Sequence, residues 1–372
     1  MNAPLALPRW ADVVVLPLVN LAMALLVAGA VVALIGQDPW DVVSLMVKGA
    51  FGSTRGFSYT LYYATTFIFT GLAVAVAAHG GLFNIGAEGQ AMIGGLGAAL
   101  VALSLADHLP AAIVLPLMIV ASAAFGAAWA AVPGYLQAYR GSHIVITTIM
   151  FNFIAHTLLV YLLVNVLKAP GSMSVESAPF APAAHLPTVQ EALAAVGIEW
   201  PSSPLNLSFF LALIAAAGVY AYLWRTRAGY RLRTVGSSIG AAEYAGIRPA
   251  HQMMIAMAIS GAFAGLVAMN EIAGVNRRLL LDFVAGAGFT GIAVAMMGRN
   301  HPVGILLASL LFGALFQGGA EVGFEMPSFS RDMVVTLQGF IILFSGAMAY
   351  VLAPHLSRLI HALPWTRSSP AR

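Results

Sequence analysis

The chain of 372 residues is 60% hydrophobic and only 8% charged, with a mean hydropathy of +0.89. Soluble domains carry about 25% charged residues, so this composition excludes a water-soluble globular protein and places most of the chain in lipid. The lack of cysteine excludes disulfides, thiolate metal sites and cysteine nucleophiles. The basic balance, pI near 9.3, comes from fifteen Arg and two Lys and fits loop charge that orients membrane spans better than a nucleic-acid surface.

Residues 1–12 form a short polar start containing Arg9. Residues 13–35 run for 23 positions that are apolar apart from Asn20, enough to cross a hydrocarbon core of about 30 Å. The stretch is too long for a signal-peptide core and lacks a clear cleavage site, so a retained span is expected. Residues 37–58 are polar and aromatic, and Asp38, Pro39 and Trp40 begin a short helix expected to lie on the membrane surface. Further spans are expected at 59–78, 90–105, 112–136 and 144–167. A Pro-, Ser- and Ala-rich interval at 168–204 follows, read as an extracytoplasmic loop. The remaining spans fall at 205–224, 253–270, 283–297, 302–316 and 333–353, before a basic tail. Residues 283–297 are short for a crossing and are expected to tilt, re-enter or be shielded by neighbours.

The expected fold is therefore an all-α polytopic membrane protein. It has about ten transmembrane helices in a single permease domain, 1–372, with its membrane core at 13–353 and both termini cytoplasmic. Charge supports that orientation. Segments then on the inside hold eleven basic residues: Arg9, Arg140, Arg225, Arg227, Arg231, Arg233, Arg248, Arg299, Arg358, Arg367 and Arg372. Segments on the outside hold six: Lys48, Arg55, Lys168, Arg277, Arg278 and Arg331. Lys and Arg resist translocation, so the richer side is the cytoplasm.

Four stretches stand out. Residues 81–90, G-L-F-N-I-G-A-E-G-Q, combine helix-weakening glycines with Asn84, Glu88 and Gln90, side chains that are costly in lipid. Such residues usually face protein or a water-filled cavity, and unwound backbone is tolerated only there. The other reading is a cytoplasmic turn with Glu88 as a solvated carboxylate at a helix start. Residues 140–152 carry Thr147, Thr148 and Asn152, able to bond between helices or to a solute. Gly261 and Gly265 present a small-residue face for close helix contact. Residues 286–298 again space glycines closely, and interrupted apolar segments in the two halves of a chain point to a midplane pathway. Phe83 and Phe289 are candidates to stack on a planar ring, and Thr290 adjoins the second of them.

Residues 225–250 form the basic link between two spans and belong on the inner side by the same charge rule. Within it, Ala241, Ala242, Tyr244 and Ala245 fall three or four apart and give a short helix a low-relief face. Ser237 or Ser238 can cap its start, while Gly246 and Pro249 stop it. A short helix held outside the bilayer suits a groove in another protein.

The link resembles the coupling segment of ABC-importer permeases of the branched-chain amino acid, ribose and nucleoside class, R-A-V-G-x-N-x-x-A-A-x-Y-A-G-I. Arg233, Val235, Gly236, Ala241, Ala242, Tyr244, Ala245, Gly246 and Ile247 coincide with it. Thr234 replaces the usual Ala and Ser238 the usual Asn, a comparable cap. Residues 84–90 resemble the N-I-G-A-E-G-Q signature of the nucleoside- and sugar-type members. Residues 286–298 resemble G-x-G-F-T-G-I-A-V-A-x-x-G, and Ser260 opens a match to S-G-A-x-A-G-L. Ile144 stands where the family usually has Glu, a departure that removes any carboxylate role there. The likeness runs from about Gly36 to Gly346, and 36–40 with 49–53 fit the nucleoside-type subgroup.

The resemblance implies a transport subunit rather than an enzyme, in the bacterial inner membrane. Its coupling residues would be Arg233, Gly236, Ser238, Ala241, Ala242, Tyr244, Ala245, Gly246 and Ile247. Its pathway residues would be Phe83, Asn84, Glu88, Gln90, Asn152, Phe289 and Thr290. The implied partners are ABC ATPase subunits, a second permease, an extracytoplasmic solute-binding protein and a small polar solute. ATP is then used by the partners, with no cofactor or metal on this chain. Nucleosides are the expected cargo, with simple sugars or branched-chain amino acids as alternatives. The sequence agrees on the drive. Lys48 and Lys168 lie outside any G-x-x-x-x-G-K-S/T loop, and no H-E-x-x-H occurs. His79, His143 and His156 are scattered singly and read as structural. A stand-alone secondary transporter is the rival, and an intramembrane enzyme lacks the necessary cluster of acid, base or metal ligands.

Overall fold

A computed structural model describes residues 15–34, 36–169, 171 and 173–326, together with positions 333, 335, 336, 339, 340, 343 and 357. Among the described residues the regular structure is helical, with only isolated β-bridges besides. In chain order the helices are α1 Leu16–Leu34, α2 Pro39–Phe51, α3 Thr54–His79, α4 Ala87–Leu105, α5 Ala111–Arg140 and α6 Ile144–Asn165. They continue with α7 Val189–Ala194, α8 Ser208–Arg225, α9 Arg227–Ser237, α10 Ile239–Tyr244, α11 Pro249–Gly265, α12 Ala287–Met297 and α13 Pro302–Glu325.

Among the described residues, seven helices are long and apolar enough to cross a membrane: α3, α4, α5, α6, α8, α13 and the segment Pro249–Asn276 that contains α11. The expected span at 283–297 comes out as α12, 11 residues beginning after Gly286 in the left-handed region. At about 1.5 Å per residue it covers roughly half of a bilayer core. The span expected at 333–353 lies mostly outside the described residues. The expected helix after Asp38 is α2, started by the Asp38 carboxylate accepting from the Trp40 N–H at 2.8 Å.

Contacts divide the chain into two compact units, Ala50–Gln317 and Met1–Gly49 with Gly318–Arg372. In the latter, Gly49 lies against the Glu321 side chain and Gly318 against Met46. In the former, α3 and α4 are central, with 83% and 72% of their apolar windows buried, against 22% and 28% for α5 and α6. The outer helices therefore present apolar side chains to lipid, where no hydrophobic force holds helix to helix. Close backbone approach replaces it. A Cβ at Gly261 would fall 2.2 Å from the Gly126 carbonyl oxygen, and one at Gly265 equally close to that of Ser122. These α5–α11 contacts need glycine at both positions, as the spacing of the pair predicts. Phe67 fills the space beside α13 with its ring edge-on to Phe312 and Phe316.

The interval 168–204 is more ordered than a Pro- and Ser-rich loop suggests. The Ser177 and Phe180 N–H groups donate to the Leu279 and Arg277 carbonyls, and that of Leu186 to Ala273. A capping box at Thr188 and Glu191 starts α7. Glu176 and Glu191 pair with Arg278 and Arg277.

Candidate functional site

The basic link at 225–250 contains two helices rather than a loop with one. Thr226 caps α9, its hydroxyl accepting from the Gly229 N–H at 3.0 Å. Of the two serines expected to cap α10, Ser238 does so, accepting from the Ala241 N–H at 3.3 Å, while Ser237 donates back to the Arg233 carbonyl. Gly246 takes a φ of +72° and ends α10, with the Ile247 N–H returning to the Ala242 carbonyl at 2.9 Å. The alanine face divides. Ala242 is fully buried, whereas Ala241 and Ala245 are exposed and Tyr244 is 98% exposed. With Ile239 also half exposed, one side of α10 is anchored to the protein and the other is bare apolar surface.

The anchor leads inward. A Cβ at Gly236 would sit 2.2 Å from the His79 carbonyl oxygen, and one at Gly81 3.2 Å from the Gly236 Cα. Buried Leu232 lies against Gly80. Arg233 is half-buried with its guanidinium 5.9 Å from the Trp224 ring, and Trp224 meets His79 and His301 edge-on or tilted. The end of α9 is thus seated on the turn that closes α3 and opens the glycine-rich stretch.

That stretch, 80–86, is unwound between α3 and α4, and its polar neighbours satisfy the freed backbone. Asn84 accepts from the Gly86 N–H at 2.8 Å and from Gln90 Nε2 at 3.1 Å. Its amide donates to Gln90 Oε1 at 2.9 Å and to Ser260 Oγ at 2.8 Å, and Ser260 donates to the Ala73 carbonyl. Asn152 reaches in from α6, accepting from the Gly89 N–H at 2.9 Å and donating to the Ile85 carbonyl at 3.0 Å. Glu88 accepts from the Gly286 and Gly288 N–H groups at 2.9 and 2.8 Å. Its charge thereby caps the positive end of α12 and joins the two glycine-rich stretches.

Asn84, Glu88, Gln90 and Asn152 are all buried, with their polar atoms spent on protein. Phe83 and Phe289 are the exposed members of the expected pathway set, at 42% and 49%. The Thr290 hydroxyl donates back to the Gly286 carbonyl at 3.3 Å. Thr147 and Thr148 likewise turn back onto carbonyls of their own helix.

A second polar knot was not anticipated. The span expected at 253–270 extends to Asn276, its last turns widened to π-type over Met269–Asn276. Glu271 consequently lies inside the helix rather than in a loop beyond it. Its carboxylate accepts from the Tyr62 hydroxyl at 2.5 Å and the Thr66 hydroxyl at 2.6 Å. Asn270, fully buried, donates to Thr66 Oγ1 at 2.7 Å and the Tyr62 carbonyl at 3.2 Å. Its oxygen accepts from Ser208 and Asn206. The sequence did hold a signal: Tyr62 and Thr66 are four apart on one face of α3, and a wide helical turn often marks a functional position.

Comparison with known proteins now has a geometry to attach to. The model for branched-chain amino acid transport system permease components matches residues 56–346. A glucose ABC transporter permease protein of Haloferax volcanii is 35% identical over 88% of this chain and 86% of its own length. A guanosine ABC transporter permease protein of Bacillus subtilis is 35% identical over 90% and 94%. A nucleoside ABC transporter permease protein of Lactococcus lactis is 32% identical over 89% and 90%. No solved structure matches.

Proposed function

We propose a cargo and a drive for this chain, which belongs to the branched-chain amino acid transport system permease family. The chain is the transmembrane permease subunit of an ATP-binding-cassette importer, and the cargo we assign it is a nucleoside or a related small polar solute. Two of its relatives are named for guanosine and for nucleosides and one for glucose, so simple sugars are the alternative. The drive comes from separate ATPase subunits. A second permease completes the pathway, and an extracytoplasmic binding protein delivers solute. The membrane is the bacterial cytoplasmic one, with both termini and the 225–250 link on its inner face, in keeping with the charge asymmetry.

One observation carries the reading of the drive. The α10 helix holds one residue, Ala242, against the protein and leaves Ile239, Ala241 and Tyr244 bare. It is seated through Gly236 on the turn that enters the unwound stretch. A push on its free face therefore reaches the Asn84 and Glu88 knot through direct contacts, without a flexible link. ATP-driven closure shifts the balance of outward and inward states only by binding one state more tightly than the other, and this contact is where the difference would be felt.

Ala241→Trp tests it, since the new side chain lies on the free face and leaves the buried Ala242 alone. In proteoliposomes holding the whole transporter, the variant is expected to assemble and lose at least 10-fold in uptake per ATP hydrolysed. Wild-type coupling in that variant would overturn the docking role. Solute flux from this chain alone, dependent on an ion gradient, would instead establish the stand-alone transporter.

A further inference from the structure

The knot around Glu271 ends in a carboxylate that is not paired with a cation, on a residue that is only partly buried. Among the described residues, ion pairs join Arg277 to Glu191 and Arg278 to Glu176, and none reaches Glu271. A carboxylate at this depth must face protein or water rather than lipid. Tyr62 beside it is also only partly buried, whereas Thr66 and Asn270 behind them are buried.

The direction of each hydrogen bond fixes what this edge can recognise. The Thr66 and Tyr62 hydroxyl protons both point at Glu271. The Asn270 amide protons go to Thr66, to the Tyr62 carbonyl and, at 3.4 Å, to Glu271 itself. The Asn270 oxygen is taken by Asn206 and Ser208. No donor is left over. A carboxylate has about four lone-pair positions and a phenol oxygen accepts as well as donates, so the unused capacity of the knot is entirely that of acceptors, with a negative charge behind it.

Building on the function proposed above, we propose that Glu271 and Tyr62 form an acceptor-only station on the translocation pathway. It takes the hydroxyl and N–H donors of a neutral, polyhydroxylated solute and turns away phosphorylated, anionic forms of the same solute. The π-type turn at Met269–Asn276 is what makes the station: it lets adjacent Asn270 and Glu271 address the same pair of α3 residues. Asn270 then serves as the buried anchor and Glu271 as the presented group.

The test uses the complete transporter in proteoliposomes, with its ATPase, second permease and binding protein unchanged, and follows labelled purine ribonucleoside, its 2′,3′-dideoxy analogue and its 5′-monophosphate. Glu271→Gln keeps the shape, removes the charge and adds a donor. It is expected to lower ribonucleoside uptake at least 10-fold and bring the ratio of ribonucleoside to dideoxy analogue toward one. The gap between nucleoside and monophosphate should narrow as well. Tyr62→Phe, a milder variant that leaves the carboxylate in place, is expected to move the same ratio in the same direction by about a third as much. Unchanged rate and discrimination in Glu271→Gln would overturn the station. An equal fall for all three solutes, with poorer assembly of the complex, would overturn it too, by showing a purely structural carboxylate. A wild-type complex that carries neither ribonucleoside nor hexose would sink the cargo assignment before any variant is read.

Discussion

The Asn84 knot and the Glu271 knot pose the same problem, a set of polar side chains at an interrupted helix inside an apolar bundle, and solve it in opposite ways. At Asn84, Glu88 and Asn152 the partners are largely backbone groups, freed because 80–86 and the start of α12 are not helical. Every polar atom is consumed and the side chains are hidden. At Glu271 the main partners are side-chain hydroxyls on an intact α3, and the residue is only partly buried. Side chains that complete a broken backbone are scaffold, because removing one strands buried N–H and C=O groups. Side chains that lean only on other side chains can be altered without breaking the chain's own accounting, and are free to meet a solute.

Substitutions can sharpen or break that contrast. The largest effect should come from Glu88→Ala, which removes two charge-assisted bonds and leaves the Gly286 and Gly288 N–H groups without their acceptor. A loss of about 3 kcal/mol is expected, read as a lower melting temperature of the purified chain in detergent together with lost uptake. If Glu88→Ala melted like wild type, the scaffold role would be wrong. Gly236→Val comes next: its side chain would meet the His79 carbonyl, and overpacking of that kind costs about 2 kcal/mol. Here ATP hydrolysis should persist while uptake falls, because the contact joining α9 to the unwound stretch is displaced. Tight coupling in this variant would count against that route. The smallest change in stability belongs to Thr66→Val, about 0.6 kcal/mol, as is usual for a side-chain bond between spanning helices. Its melting curve should nearly overlay that of the wild type while its solute discrimination shifts with that of Glu271→Gln. A large melting shift without altered discrimination would make the Glu271 knot a second scaffold.

Much of this was legible before any coordinates. Composition alone required lipid, because 8% charge cannot cover a soluble surface. The glycine-rich stretches at 81–90 and 286–298 marked where helices break, since glycine there weakens the helix and polar side chains need protein or water around them. The spacing of Ser238, Ala242 and Gly246 predicted a short capped helix, and local hydrogen bonding is enough to make one. Gly261 and Gly265 predicted close contact, because only a missing Cβ lets backbones approach so nearly.

What only the tertiary structure decided is which partner each of these groups meets. Ala241 and Ala242 are alike in sequence, and packing on the neighbouring helices buries the second and bares the first. Asn84 finds Ser260 across 176 positions, and Glu88 finds Gly288 across 200, distances over which no local pattern speaks. Glu271 ended the apolar run and so looked like the start of a loop. The helix carries on through it because Tyr62 and Thr66, more than 200 positions earlier, supply the hydroxyls that make a carboxylate tolerable there. Hydrophobicity and backbone preference act over a few residues and are written in order along the chain. The cost of a buried polar group is settled by whatever the fold brings beside it.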